Sequence, residues 1–405
     1  MIDFRHSTCY NKKIKLESYR LFVEGGKIVG KLAILCMGCC LLLQLSNRRK
    51  TAGIAQGKHF MYDRTDKYML IAILWMSCFA FLRTNYNDTH AYIKGFRNAL
   101  SVSESAALGV YTKWTDNPLS HLYQDFMRGI TDNYHVYFLF PALLQSIAVV
   151  KLIRHYSDDP ALSLLIYFSL GTYMLFVAAF KQSMAMTILM LALPYVDQKK
   201  YLRFYIMVTI AMLFHFYAII FIFVPLMRER PWKGNTWFLL GLVIFCLLNY
   251  EETLGALIAQ VEAMGESISE EEVFDGNSIN LLRVLVYWVP AALALVFQRH
   301  LFYESTPTDH LFANISIMAA MILTIGLAQG ANLFARMAGY FELGIAVTLP
   351  WMLKKIFNRA SAKMVSLVAA VLFFGYFVYE FTVSKDFAGN YASISLLQFF
   401  RELLR

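Results

Sequence analysis

Four groups of polar residues stand in or beside strongly apolar stretches of the chain, and their types suit the handling of an anion and a proton. The first is Arg83 followed by Asp88 and Tyr92, which share a face if the segment is helical. The second is Lys181 with Gln182, set between two apolar runs. The third is His215, flanked by Phe214, Phe216 and Tyr217. The fourth is Asn332, Arg336 and Tyr340, spaced four apart, so that an amide, a guanidinium and a phenol form one inward stripe. An ionisable group in hydrocarbon is costly unless paired or wetted, so each is a functional candidate. Each also has a plainer reading: arginines snorkelling to the interface, a polar pair in a tight helix connection, and a hydrogen-bonded packing histidine.

The elements that must position these residues follow from composition. Of 405 residues, 58% are hydrophobic and only 16% charged, where a soluble domain carries roughly a quarter, and the mean hydropathy is +0.48. Apolar stretches near the length a helix needs to cross a bilayer recur from end to end. Candidate spans are 28–46, 68–83, 134–153, 161–180, 182–197, 204–226, 236–249, 281–298, 309–328, 333–352 and 362–381. An all-α polytopic integral membrane protein with about 10–12 transmembrane helices is expected. Continuous apolar runs such as Tyr217 to Leu226 exclude the alternating pattern of a β-barrel. A basic segment 1–27 precedes the membrane domain 28–381, whose long external loops are 84–133 and 250–280, the latter with Glu270, Glu271 and Glu272. The tail 382–405 places Ile394, Leu397, Phe400 and Leu404 opposite Gln398, Arg401 and Glu402, the pattern of an interfacial amphipathic helix.

Lys and Arg in short loops mark the cytoplasmic side. They place 47–67, 198–203 and 353–363 inside and 84–133 outside. Between the second and third anchors lie five candidate spans, where two cytoplasmic ends require an even number. One segment is therefore broken or re-entrant: either 204–226 around His215, or the short 236–249. Arg83, Lys181 and Arg336 then all fall near the outer face. Three converging cations suit an anion, and the paired hydrogen bonds of a guanidinium suit phosphate oxygens, which makes a lipid pyrophosphate a natural ligand.

The net charge of +9 is scattered over short loops rather than gathered on one domain, which argues against nucleic acid. No nucleotide-binding or metalloprotease motif and no Gly-x-Ser-x-Gly occurs. Cys36, Cys39 and Cys40 lie in an apolar segment without a His or second Cys pair, so neither metal nor disulfide is expected, and no cofactor is expected. No cleavable signal peptide is recognisable. Asp158 and Asp159 before Pro160 read as a solvated turn.

At these same islands the chain resembles the EpsG family of bacterial exopolysaccharide and capsule polymerases, functional relatives of the Wzy O-antigen polymerases. The resemblance runs through Leu82-Arg83-Thr84-Asn85-Tyr86-Asn87-Asp88-Thr89-His90-Ala91-Tyr92, similar to that family's Arg, Asp-Thr and Tyr signature. It continues through Phe180-Lys181-Gln182-Ser183-Met184-Ala185, Ala211-Met212-Leu213-Phe214-His215 and Asn332-Leu333-Phe334-Ala335-Arg336-Met337-Ala338-Gly339-Tyr340-Phe341. The islands keep the family's order over roughly residues 65–355. The chain departs where the family usually has Gly before the Asp motif, here Asn85 to Asn87, and usually Arg at the position of Lys181, which keeps charge but loses bidentate geometry. Segment 1–27 has no counterpart.

The resemblance implies polymerisation of undecaprenyl-pyrophosphate-linked oligosaccharide repeat units at the outer face of the bacterial cytoplasmic membrane, alongside flippase and chain-length regulator proteins. In this reading Arg83 and Arg336 hold the pyrophosphate, Lys181 assists, Gln182, Tyr92, Asn332 and Tyr340 contact substrate, and His215, ahead of Asp88, is the base. Arginines take the place of a divalent ion. The rivals are a flippase of lipid-linked oligosaccharide, an O-antigen ligase with the same chemistry on another acceptor, and a sugar O-acetyltransferase, disfavoured because His215 has no acidic neighbour in sequence.

Overall fold

The computed structural model describes residues 29–47, 59–113, 116–252, 255, 278–328, 330–383 and 390–404. The basic segment 1–27 and the Glu270 to Glu272 cluster lie outside the described residues. Among the described residues the chain is mostly helical, with two short strands, in keeping with its apolar composition.

Helix starts are written locally. α1 (Val29–Asn47) leads to α2 (Lys67–Phe81), whose N-cap Asp66 accepts from the Tyr68 and Met69 amides and from Ser46 Oγ at 2.6 Å, tying the ends of the two helices together. Beyond α2 the expected external loop is built: strand β1 (Arg83–Asn85) and helices α3 (Thr89–Arg97), α4 (Val102–Ala107) and α5 (Pro118–Ile130) form a cap over the bundle. α6 (Tyr134–Tyr156) then runs back along α2.

Several spans are interrupted. α7 (Pro160–Ser169) and α8 (Thr172–Ala178) are bent by 55° at Gly171, whose φ of 78° is the left-handed conformation glycine adopts without strain. α9 (Phe180–Asp197) follows at once. α10 (Tyr201–Phe214) stops at His215, where the backbone is extended, and a 3-10 segment, Phe216–Arg228, takes over. After α11 (Gly234–Leu248), α12 (Leu281–Val296), α13 (Gln298–Leu301) and α14 (Pro307–Ile325), the chain breaks again between α15 (Ala331–Gly339) and α16 (Glu342–Ile356). α17 (Arg359–Thr382) completes the bundle. Strand β2 (Ala392–Ser393) then pairs antiparallel with β1, and α18 (Leu396–Leu403) docks through Phe399 on Phe81 while Leu397, Phe400 and Leu404 stay exposed.

The parity problem is settled at His215. Arg228, at the end of the 3-10 segment, donates to the Asp197 carbonyl at 3.4 Å, and Asp197 also accepts from Thr308 at 2.5 Å, so the segment returns to the end of the bundle from which α10 set out. The lengths agree: α10 spans about 21 Å at 1.5 Å per residue, and the 3-10 run about 26 Å at 2 Å per residue. Residues 204–226 are therefore a hairpin, not one crossing. The 236–249 stretch instead runs from the basic end, where Lys233 starts it, to the other end, where Tyr250 packs near Phe334 of α15. The basic end is closed by Asp63–His155 (2.6 Å), Lys354 on the Asp158 carbonyl, and Lys355 on the Glu304 carbonyl (2.8 Å). All three sequence anchors thus gather on one face.

Candidate functional site

The three interrupted elements open at the far end, opposite the basic end, and bring scattered residues together. His215 Nδ1 and the Tyr340 hydroxyl are 2.7 Å apart although 125 residues separate them in sequence. The positive charges of Arg336 and Lys181 both act on the His215 ring. Tyr92 comes down from the cap to the same place: its hydroxyl hydrogen-bonds with the Lys181 backbone and feels the charges of Asp88, Arg336 and Arg83. Burial pushes the Tyr92 phenol up to about 12, with the neighbouring Asp88 adding to it. It therefore stays protonated at working pH and can donate a hydrogen bond but not take a proton.

Each residue has a local reason for its position. Lys181 lies in the first turn of α9, and its neighbour Phe180 is clasped by Tyr137 (4.8 Å between ring centroids), Tyr92 (5.5 Å) and Tyr123 (5.8 Å), which pins that helix end to the cap. His121 of α5 also faces Lys181; its imidazole is held below the usual range by burial and then by that charge. The turn at His215 exposes backbone amides, and Asn117 of the cap, itself left-handed at φ 55°, supplies its side-chain oxygen to the Phe216 amide at 3.0 Å. Gln182 donates Nε2 to the Arg336 carbonyl at 2.6 Å, fastening α15 to α9. Gly339 sits where these helices meet, and a Cβ there would press on Leu175.

Two expectations change. Arg83 is 3% exposed, donates to the Ala80 carbonyl (2.6 Å) and Thr89 Oγ1 (3.2 Å), and lies 3.8 Å over the Phe138 ring. Its guanidinium braces the corner from which α3, with Asp88 and Tyr92, departs, rather than lining the opening beside Arg336. Nor is Asn332 on an inward stripe: along α15 Asn332 is exposed, Arg336 half-buried and Tyr340 buried, because the helix runs down into the bundle and ends at Gly339. Asp88 is exposed at the start of α3, on the Tyr92 side of the opening.

A polar network behind the site went unread in the sequence. Glu342, 1% exposed, accepts from Thr172 Oγ1 at 2.6 Å and from the Tyr287 hydroxyl, with Arg283 3.8 Å away. Arg283 also acts on buried Glu380. Glu342 lies two residues past Tyr340, so this cluster fixes the α15–α16 junction. The usable signal was an ionisable residue inside each of three apolar stretches, the same rule that singled out His215.

Residues 66–396, most of the chain, match the model of the EpsG family. The chain belongs to the EpsG family. No curated protein and no solved structure matches it. Membership assigns this EpsG protein a polysaccharide-polymerase-like role in a multi-pass membrane protein, and the matched range contains every residue of the cluster around His215.

Proposed function

We propose that the protein is a membrane glycosyltransferase that joins undecaprenyl-pyrophosphate-linked oligosaccharide repeat units into an exopolysaccharide, capsule or O-antigen chain. The observation that carries this reading is the convergence of Arg336 and Lys181 on the His215–Tyr340 pair. Two cations beside a potential base are what transfer from a pyrophosphate donor needs. With the basic end cytoplasmic, as the positive-inside rule requires, the site faces the periplasm or cell exterior.

In the proposed reaction an acceptor hydroxyl on one lipid-linked unit attacks the anomeric carbon of the growing chain. The new C–O bond forms as the bond from that carbon to the phosphate oxygen breaks. The lipid pyrophosphate leaves with both electrons of that bond, its charge met by Arg336 through paired hydrogen bonds and by Lys181 as a point charge. The hydroxyl proton passes to His215 Nε2. That role requires the tautomer in which Nδ1–H donates to the Tyr340 oxygen, so Tyr340 sets which nitrogen is available. Asp88 is the second candidate base. Arg83 is reassigned from holding the pyrophosphate to positioning the Asp88–Tyr92 corner.

The test is polymer synthesis by the purified full-length protein in lipid, supplied with lipid-linked repeat units. Release of lipid pyrophosphate in step with chain growth is expected. Transbilayer movement of the units without a new glycosidic bond would instead make the protein a flippase, and growth only on a different acceptor a ligase.

A further inference from the structure

At the basic end, remote from the His215 cluster, α1, α7 and α17 part to leave a groove of about 720 Å³. Its length is apolar, walled by Met37 and Cys40 of α1, Leu162 and Leu165 of α7, and Leu367 and Ala370 of α17. Met37 and Leu367 are 52% and 66% exposed, so the trough opens sideways from the bundle. Its end is different. Lys354, Arg359 and Lys363 line it, with Asp159 the one carboxylate among the described residues of the lining, engaged in capping α7 through the Leu162 amide at 3.2 Å. Lys354 is fixed at the mouth by its bond to the Asp158 carbonyl. α7 and α17 both begin here, at Pro160 and Arg359, so two helix N-termini add partial positive charge to the same end.

The geometry points to a built site for an anionic phospholipid, with the phosphodiester headgroup among Lys354, Arg359 and Lys363 and an acyl chain along the trough. The cations lie at helix ends, at headgroup depth, and the trough leads from them toward the bilayer centre, where acyl chains are the only abundant occupant. A free phosphate would use the cations and leave the trough empty. A zwitterionic lipid would bring its own cation against three others. The site lies at the opposite end from the proposed reaction centre and holds whatever reaction that centre performs.

The full-length protein, purified in detergent, is titrated with phosphatidylglycerol or phosphatidylcholine and bound lipid is counted by native mass spectrometry. Retention of phosphatidylglycerol well above phosphatidylcholine is expected. Removing two charges in Arg359→Gln/Lys363→Gln should weaken phosphatidylglycerol roughly 25-fold, about fivefold per charge, and leave phosphatidylcholine unchanged. Ala370→Trp, which fills the trough and keeps every cation, should also abolish the preference. Equal retention of the two lipids by the parent, or an unchanged double variant, overturns the proposal. So does normal binding by Ala370→Trp, which would reduce the groove to diffuse charge attraction, or displacement of the lipid by inorganic phosphate at matching concentration.

Discussion

The His215–Tyr340 contact makes a quantitative prediction, because the two side chains form one functional unit only if one is the base and the other sets its tautomer. His215→Gln keeps a polar side chain of similar reach but removes the proton-accepting nitrogen. Loss of a positioned base costs roughly 10² to 10⁴ in rate. Tyr340→Phe keeps the ring, buried and packed, and removes a hydrogen bond of 2.7 Å between neutral groups. Such a bond is worth about 1 kcal/mol net, or about fivefold, and release of the imidazole to its other tautomer should raise the loss to about tenfold or more. The decisive variant is the double one: if Tyr340 acts through His215, Tyr340→Phe should cost almost nothing once His215 is Gln. The assay is initial polymerisation rate with purified lipid-linked units, with substrate binding followed separately. Losses that simply multiply in the double variant would refute the coupling, and a His215→Gln protein that binds and polymerises like the parent would assign His215 to packing and pass the role of base to Asp88.

Three other outcomes are expected. Arg336→Lys should keep substrate binding within a few fold yet lower polymer formation about tenfold, because a point charge cannot make paired bonds to the leaving group; normal polymer from Arg336→Ala at normal protein level would end its assignment. Glu342→Ala should destabilise the protein by about 3–5 kcal/mol, since it strips buried Arg283 of its nearest carboxylate, and a thermal unfolding curve that does not move would contradict that. Single cysteines placed at Ser103 and Ala360, in a background lacking other cysteines, should be labelled by an impermeant reagent in intact cells at Ser103 only; the reverse pattern would invert the membrane orientation.

How much of this was legible in the sequence depends on range. The all-α membrane class, the basic anchors and the presence of a broken element follow from local apolarity and loop charge, both short-range properties. The choice between 204–226 and 236–249 was not, because a 3-10 return and an α-helical crossing carry the same apolar residues. What decides it is the Arg228–Asp197 contact across 31 residues. Lys181, His215, Arg336 and Tyr340 were singled out as ionisable or polar residues in apolar runs, and the fold brings them together. Arg83 was singled out by the same rule and is buried behind Tyr92, where its guanidinium is satisfied by a helix-end carbonyl, a threonine and an aromatic ring. Glu342, Arg283 and Glu380 satisfy the rule too, but their mutual pairing across three helices is invisible until the bundle is assembled.

The placement of the breaks ties fold to chemistry. An interrupted helix leaves backbone amides and carbonyls without intrahelical partners, which hydrocarbon does not tolerate unless protein or water satisfies them. Here the breaks at Ala179, at His215 and at Tyr340–Phe341 all fall at the far end, and each lies beside a residue of the cluster: Lys181, His215 itself, and Arg336 with Tyr340. The repairs are specific and come from other elements, as with Asn117 on the Phe216 amide and Gln182 on the Arg336 carbonyl. An uninterrupted crossing at 204–226 would carry His215 on the side of a rod, at a depth fixed by helix pitch. Ending the helix there presents the imidazole at a hairpin tip, under the cap that delivers Tyr92 and Asp88. The interruptions are therefore what lets charged groups from three separate stretches of an apolar chain share one opening, and a variant that makes 204–226 continuous should lose the cluster while keeping every residue in it.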